Sequence, residues 1–281
     1  RETRVLAVTE GVLLRRLQDD PFLDDVTIVV FDEFHERRLD SDLALAMVRR
    51  VQQTVRPDLR IVVMSATIET ATIAGHLGNC PVIRSEGRLF PLEVRHTAYS
   101  AAPLEDQVAT ALDGVLKSPQ EGDVLVFLPG AGEIRRAMRA CEALGTRNDL
   151  ILVPLYGDLP PAEQDLAVQP AAKRKVIFST NIAESSLTIE GVRVVIDSGY
   201  SRIPSFDPSS GLTRLETVQS SKDTADQRAG RAGRTEPGVC YRLWPESTLH
   251  HLNPQRIPEI LQADLSPLML ELAGWGNNHP D

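Results

Sequence analysis

Residues 26–37 read VTIVVFDEFHER, an apolar run of β-branched and aromatic residues that ends in two carboxylates and a histidine. The run is typical of a buried strand in a parallel sheet. Because ligands of open α/β sheets lie beyond the carboxyl ends of the strands, Asp32 and Glu33 fall where a ligand binds. There an aspartate can hold magnesium through water, and a neighbouring glutamate can polarise the water that attacks a phosphoanhydride. The pair by itself is also compatible with a helix N-cap and first-turn acids.

Further short runs rich in β-branched residues follow along the chain, each beside a stretch with helical periodicity. The predicted strands are 26–31, 60–64, 124–128, 150–155, 175–179 and 192–196. Segments 104–118 and 133–144 predict amphipathic helices. This alternation predicts an α/β fold built from parallel sheets covered by helices.

The runs fall into two groups, which indicates two domains. Residues 84–103 between the groups contain two prolines and no helical period, so they predict the crossing from one domain to the next. Residues 201–223 carry turn residues between two extended pieces and predict a hairpin. Residues 259–273 have a helical pattern but are too short for a core of their own. The predicted domains are 1–90, 91–245 and 246–281, the last being the start of a further domain.

Composition sets outer limits on function. The chain has 281 residues, a formal net charge of −9 and a pI near 5.3, which argues against a protein held to nucleic acid by overall charge. An eighteen-residue apolar run and a secretory signal pattern are absent from the sequence, so we expect a cytoplasmic protein without a membrane partner. Cys80, Cys141 and Cys240 are too widely spaced for a zinc site and odd in number, which predicts small buried apolar residues.

The stretch DQRAGRAGR, residues 226–234, places three arginines and two glycines at regular spacing. On a helix Arg228, Arg231 and Arg234 would repel one another, and each glycine would cost roughly 1 kcal/mol relative to alanine. A purely structural helix gains nothing from this pattern. Arginines beside glycines that permit close approach suit phosphates, in particular an arginine supplied from a second domain to the leaving phosphoryl group. The alternative is a solvated basic face.

Two polar segments follow predicted strands. FSTNIAESSLTI, residues 178–189, can cap a helix and turn, or can offer hydroxyl and backbone donors to phosphates without reading sequence. MSATI, residues 64–68, places Ser65 and Thr67 at a strand end, where a plain turn is the simpler interpretation.

Taken in order, five motifs resemble those of superfamily 2 helicases of the DEAH/RHA group. They are TEG (9–11), DEFHER (32–37), SAT (65–67), STNIAESSLTI (179–189) and QRAGRAGR (227–234). The phenylalanine in DEFH looks most like the bacterial HrpB branch, as do SEGRLFP (85–91), VFLPGAGEIRR (126–136) and SGLTRLETV (210–218). The resemblance covers essentially the whole chain.

The resemblance implies two RecA-like domains, with ATP and Mg²⁺ in the cleft and single-stranded nucleic acid across both, RNA in preference to DNA. It implies no obligate protein partner. Asp32 and Glu33 would be the magnesium and water-activating carboxylates, and His35 would link the nucleotide to the other domain through Gln227. Ser65 and Thr67 would couple hydrolysis to domain movement.

The resemblance also assigns roles in the later motifs. Arg231 and Arg234 match the family's arginine fingers, and Gln227 matches its partner for the attacking water, whereas Arg228 is structural. Residues near the nucleic-acid backbone would be Thr9, Glu10, Gly11, Thr180, Asn181 and Ser185. Position 185 is serine where the family usually has threonine, which preserves the hydroxyl.

One departure from the family concerns the phosphate cradle. A P-loop, G-x-x-x-x-G-K-[ST], is required to hold the β and γ phosphates, and the sequence contains no Gly-Lys pair. Because the family places its P-loop before TEG, we expect a first domain that is incomplete at its N-terminus and a last domain, winged-helix or helical, that is truncated. The chain by itself is then not expected to be a competent ATPase.

Two other functions stay open at this point. The chain could be a catalytically silent nucleic-acid-binding or regulatory module that kept the helicase fold, although retention of Asp32, Glu33, Arg231 and Arg234 argues against it. A dehydrogenase built on the glycines at 130 and 132 is disfavoured, because PGAGEI lacks the third glycine of a dinucleotide fingerprint.

Overall fold

The computed structural model describes residues 3–66, 70–85, 90–185 and 187–276. The helices are α1 (Glu10–Asp19), α2 (Leu39–Thr54), α3 (Thr70–His76), α4 (Leu104–Lys117), α5 (Ala131–Arg147), α6 (Pro161–Val168), α7 (Lys222–Gly230) and α8 (Ser266–Gly274). The strands are β1 (Ile28–Phe31), β2 (Arg60–Val63), β3 (Leu92–His96), β4 (Asp123–Phe127), β5 (Ile151–Leu155), β6 (Lys175–Ser179), β7 (Val192–Asp197), β8 (Tyr200–Asp207), β9 (Leu212–Gln219) and β10 (Gly238–Arg242).

These elements form two compact units. The first unit comprises residues 1–84, 204–214 and 257–281, and the second comprises residues 85–203 and 215–256. A compact unit is not by itself a domain that folds independently, so the domain boundaries given above stay a prediction.

The first unit is built around a parallel pair of strands. β1 and β2 are in register from Ile28 opposite Arg60 to Phe31 opposite Val63. Alternate residues of β1 are buried, and they join a core that the apolar faces of α1 and α2 complete. Because parallel strands end at the same edge, the residues that follow β1 and β2 emerge side by side.

Within the described residues, the second unit contains a six-stranded sheet in the order β3-β10-β7-β4-β6-β5. Each pairing in this sheet is parallel. The two faces of β4 enter different cores. Val124 and Val126 pack with α4 and α5, whereas Leu125 and Phe127 pack with residues of α6 and α7. Helices on both faces of a parallel sheet confirm the predicted α/β class.

The strands of the second unit include two that the sequence pattern did not predict. β3 lies inside 84–103, the segment interpreted as a domain crossing, and pairs with β10. β10 reads GVCYR and has no apolar run, yet it lies between β3 and β7, and its Arg242 is only 4% exposed. β8 and β9 form the hairpin predicted within 201–223.

Two stretches are helical over only part of their length. In DQRAGRAGR, α7 ends at Gly230, so Arg231 and Arg234 do not share a helix with Arg228. The pattern at 259–273 divides into a single 3-10 turn, Glu259–Leu261, and α8. The Asp264 carboxylate accepts a hydrogen bond from the Ser266 backbone amide at 2.9 Å, which marks the start of α8. No helix in the described parts of the chain is long and apolar enough to cross a bilayer.

Candidate functional site

The two carboxylates of the DEFH motif lie at the carboxyl edge of the first unit's sheet. The backbone continues the pairing one step beyond β1, because the Met64 amide donates to Phe31 O at 2.7 Å and the Phe34 amide donates to Met64 O at 3.1 Å. Asp32 is exposed, and its Oδ1 accepts a hydrogen bond from the Glu33 amide at 2.8 Å. Asp32 and Glu33 therefore stand at the sheet edge where the sequence predicted them.

The backbone of this motif is strained at both ends. Glu33 has φ 49° and Arg37 has φ 50°, the left-handed region that L-residues rarely adopt. Such a conformation costs of order 1–3 kcal/mol and persists only where the surroundings fix it. Glu33 precedes the 3-10 turn Phe34–Glu36 but makes no side-chain capping hydrogen bond to it. The helix-cap alternative thus lacks support at Glu33.

His35 connects the acidic pair to the second strand's end. Its side chain is 5% exposed, and its Nε2 lies 3.4 Å from Glu33 Oε2. The Ala66 amide lies 3.5 Å from His35 Nδ1, a long contact. Ser65 is exposed beside this contact, whereas Thr67 lies outside the described residues. The structure thus brings Asp32, Glu33, His35 and Ser65 together within the first unit.

The TEG segment forms the start of α1. Thr9 occupies the N-cap position, and its carbonyl oxygen accepts hydrogen bonds from the amides of Val12 and Leu13. Thr9 and Gly11 are exposed. Glu10 is half-buried and accepts a hydrogen bond of 3.0 Å from Ser41 Oγ in the first turn of α2.

In the second unit, the polar segment after β6 leaves the sheet between neighbouring strand ends. The Thr180 amide donates to Leu155 O at 3.1 Å, and the Leu128 amide donates to Ser179 O at 2.8 Å. Ser179 is fully buried, whereas Asn181 is exposed and Thr180 and Ser185 are half-buried. The segment that contains Thr180, Asn181 and Ser185 therefore begins at the carboxyl edge of this sheet.

The arginines of QRAGRAGR have three different environments. Arg228 has no exposed side-chain surface, Arg231 is 6% exposed as a residue, and Arg234 is exposed. The solvated-face alternative is therefore wrong for Arg228 and Arg231. Arg231 donates from Nε to Glu184 O at 2.7 Å and from Nη1 to Leu187 O at 2.6 Å.

Arg231 and Arg234 line one shallow recess of the second unit, together with Ala183 and Ile189. Gln227 is half-buried one turn earlier on α7. The Gly233 carbonyl accepts a hydrogen bond from the Phe90 amide, and a Cβ added at Gly233 would lie 3.2 Å from Phe90 O. The close approach at this glycine is therefore to the protein's own backbone.

Arg228 is the centre of a buried ion-pair network that the sequence did not reveal. Its Nε and Nη2 donate to Glu184 Oε1 at 2.8 and 2.6 Å, and its Nη1 donates to Asp197 Oδ1 at 2.8 Å. Nη1 also donates to Tyr200 O and Nη2 to Ser201 Oγ. Burial lowers the pKa of Arg228, but the two carboxylates outweigh it and raise that pKa, so the guanidinium stays charged.

Glu184 and Asp197 are thus functional candidates that sequence reasoning missed. For Asp197 a signal existed, since VVID at 194–197 repeats the pattern of VVFD at 29–32, an apolar strand that ends in an aspartate. Asp32, which follows β1, is exposed, whereas Asp197, the last residue of β7, is fully buried. Only the structure distinguishes these two outcomes.

Comparison with known proteins identifies the class. Residues 107–236 match the helicase conserved C-terminal domain. The ATP-dependent RNA helicase HrpB of Escherichia coli (strain K12) is 47% identical over 283 residues, which is 99% of this chain and 34% of the relative. The probable ATP-dependent RNA helicase DHX34 of Homo sapiens is 37% identical over 292 residues, 99% of this chain and 26% of the relative. The chain thus spans about a third or less of the length of these relatives.

A solved structure agrees with these matches. The crystal structure of the E. coli DExH-box NTPase HrpB superposes with a TM-score of 0.88 at 47% identity, covering 99% of this chain and 35% of that chain. The parallel sheets are those of helicase RecA-like domains, and the chain is a homologue of the DEAH/RHA-type helicases. Its predicted resemblance to the HrpB branch is confirmed.

Proposed function

We propose that this chain forms part of the motor core of an ATP-dependent helicase that acts on single-stranded nucleic acid, RNA in preference to DNA. The observation that supports it best is a coincidence of two facts. The similarity to helicases runs along 99% of the chain, and Asp32 and Arg234, charged residues of two of its motifs, are exposed just beyond a strand and a helix.

The residues of the first unit fit a magnesium nucleotide. Asp32 is an exposed carboxylate at the end of a parallel strand, and Mg²⁺ prefers oxygen ligands that leave room for water and phosphate. Asp32 would hold the ion, and Glu33, oriented by its left-handed backbone and by His35, would orient and polarise the attacking water. Bound Mg²⁺ would supply neutralisation of phosphate charge.

In the second unit, Arg231 and Arg234 would stabilise negative charge on the transferred phosphoryl group, and Gln227 would contact the attacking water. Ser65 and Thr67 would couple hydrolysis to movement of the motor. Thr9, Glu10, Gly11, Thr180, Asn181 and Ser185 would lie along the nucleic-acid backbone, which hydroxyls and backbone amides can bind without reading bases.

A direct test replaces the matching stretch of E. coli HrpB by this chain, and we call the resulting hybrid the exchanged helicase. Its ATP hydrolysis is measured with and without single-stranded RNA and DNA of equal length. We expect RNA-stimulated hydrolysis, with weaker stimulation by DNA. Glu33→Gln in the exchanged helicase should bind Mg-ATP but not hydrolyse it, because the amide cannot polarise the attacking water.

The isolated chain serves as the comparison. Since its sequence lacks G-x-x-x-x-G-K-[ST], we expect the isolated chain not to hydrolyse ATP. Hydrolysis by the isolated chain would place the phosphate site elsewhere. An inactive exchanged helicase that still binds RNA would instead favour the catalytically silent binding or regulatory module.

A further inference from the structure

Arg256 lies outside the helicase motifs but reaches their buried network. It ends the segment that follows β10 in the second unit, and this segment is attached to the start of α7. The Lys222 amide donates to Asn253 O at 2.9 Å, and the Arg256 amide donates to Asp223 Oδ2 at 3.3 Å. The main chain at Arg256 is therefore held by hydrogen bonds that do not involve the Arg256 side chain.

The side chain of Arg256 completes the partners of Glu184. Its Nη2 donates to Glu184 Oε2 at 2.6 Å, while Glu184 Oε1 accepts from Arg228. The side chain of Glu184 is 3% exposed, so a carboxylate oxygen without a partner there would carry a large desolvation penalty. Arg228 and Arg256 balance the charges of Glu184 and Asp197, and loss of Arg256 would leave a net negative charge in the interior.

Glu184 belongs to the segment that we propose to contact nucleic acid. Its amide donates to Asn181 O at 2.9 Å, and its own carbonyl oxygen accepts from Arg231 Nε at 2.7 Å. The segment at 180–185 is thus held from α7 through Arg228, from the residue that follows α7 through Arg231, and from the chain beyond β10 through Arg256. Because Arg228 is fully buried and Arg256 is 31% exposed, Arg256 is the contact that can be altered with least damage to the core.

We propose that Glu184 and Arg256 are positioning residues that hold the 180–185 segment in its nucleic-acid-binding conformation. Neither side chain needs to touch nucleic acid for this role, which rests on the proposed function. Fixing the segment in advance reduces the entropy that binding would otherwise cost. The consequence is that a residue beyond β10 sets the affinity of the motor for its strand.

The first experiment measures hydrogen exchange in the chain itself. In Arg256→Gln we expect backbone amides of 180–185 to exchange roughly tenfold faster, as befits loss of one buried charged hydrogen bond, with β4 and β6 unchanged. Arg256→Lys should restore most of the protection, because an ammonium keeps the charge. Arg193→Gln is the matched control, since Arg193 is 29% exposed and pairs with Glu236 at 3.1 Å elsewhere in the second unit.

The second experiment measures the RNA concentration that gives half-maximal ATP hydrolysis in the exchanged helicase. We expect Arg256→Gln and Glu184→Gln each to raise it roughly tenfold, with the KM for ATP unchanged, and the double variant to be no worse than either single variant. Unchanged exchange at 180–185, equally faster exchange throughout the second unit, or an unaltered RNA requirement would each overturn the inference. If the unsubstituted exchanged helicase shows no RNA stimulation, the proposed function fails and this role fails with it.

Discussion

Ser41 Oγ donates a hydrogen bond of 3.0 Å to Glu10 Oε1, and this bond joins the first turns of α2 and α1. Ser41 is 6% exposed and lies a few residues after DEFHER, whereas Glu10 belongs to TEG. The proposed nucleotide motif and the proposed nucleic-acid motif of the first unit are therefore connected by a side-chain contact as well as through the core.

Ser41→Ala should destabilise the chain by about 1 kcal/mol, because Glu10 loses its buried partner. Urea unfolding followed by circular dichroism measures the change. Thr54→Ala is a suitable control, since the Thr54 hydroxyl donates to Arg50 O on the exposed surface of α2, and we expect a change below about 0.5 kcal/mol. Equal effects of the two substitutions would contradict a specific role for the Ser41 contact.

Asp40 should make stability depend on pH. Partial burial, with the nearby carboxylates of Glu259 and Glu10, raises the pKa of Asp40 above its usual 3.8. A carboxyl whose pKa is raised by folding favours the folded state when protonated, and this contribution is lost as the pH rises through the folded pKa. The stability of Asp40→Asn relative to the unsubstituted chain should therefore increase from about pH 3 to about pH 7.

Asp42 provides a control at neutral pH, where its substitution should lower stability instead of raising it. Its carboxylate accepts two hydrogen bonds from Arg37 at 3.2 and 3.1 Å. Asp42→Asn should therefore destabilise the chain at neutral pH. A stability difference for Asp40→Asn that stays flat or falls with rising pH would be inconsistent with the raised pKa.

Arg228→Met should destabilise the second unit by about 3–5 kcal/mol, because Glu184 and Asp197 would be left buried with too little positive charge. Denaturant unfolding of the chain gives the value. Arg193→Met, which removes a partly exposed ion pair with Glu236, should cost less than about 1 kcal/mol. A small effect of Arg228→Met would mean that water reaches the network.

Comparing Arg231→Ala with Arg234→Ala should distinguish an effect on the stability of the chain from an effect on ATP turnover. We expect Arg231→Ala to cost about 2 kcal/mol, since two hydrogen bonds to backbone carbonyls are lost, and Arg234→Ala to cost less than about 0.5 kcal/mol. In the exchanged helicase both should lower ATP turnover by orders of magnitude while nucleotide binding weakens far less. Normal turnover in Arg234→Ala would refute its proposed role, because its fold would be intact.

Cysteine reactivity should report on the native packing. Burial raises the pKa of Cys141 to about 11 and also raises that of Cys240, while Cys80 is only half-buried. Ellman's reagent should therefore react quickly with one thiol of the folded chain, and Cys80→Ala should abolish that fast phase. The prediction of three buried apolar cysteines was thus right for Cys141 and Cys240 and wrong for Cys80. A second fast thiol would show that one of the cores opens.

Much of the fold followed from local pattern. The runs at 175–179 and 192–196 became β6 and β7 because both of their faces are buried, which allows a continuous apolar sequence. β10 was not predicted from the sequence because Tyr241 and Arg242 leave it without a continuous apolar run. It is a strand because β3 and β7 lie on either side of it and pair with its backbone.

For the candidate site, the sequence by itself determined which residue types stand at which spacing, and from these we predict that Asp32, Glu33, Arg231 and Arg234 act on phosphate and magnesium. Only the tertiary structure decided which charges are buried. Arg228 and Arg234 belong to one nine-residue motif, yet one is enclosed by Glu184 and Asp197 and the other faces solvent. Burial depends on partners distant in sequence, such as Arg256, and the contacts between distant segments are fixed only when the chain packs.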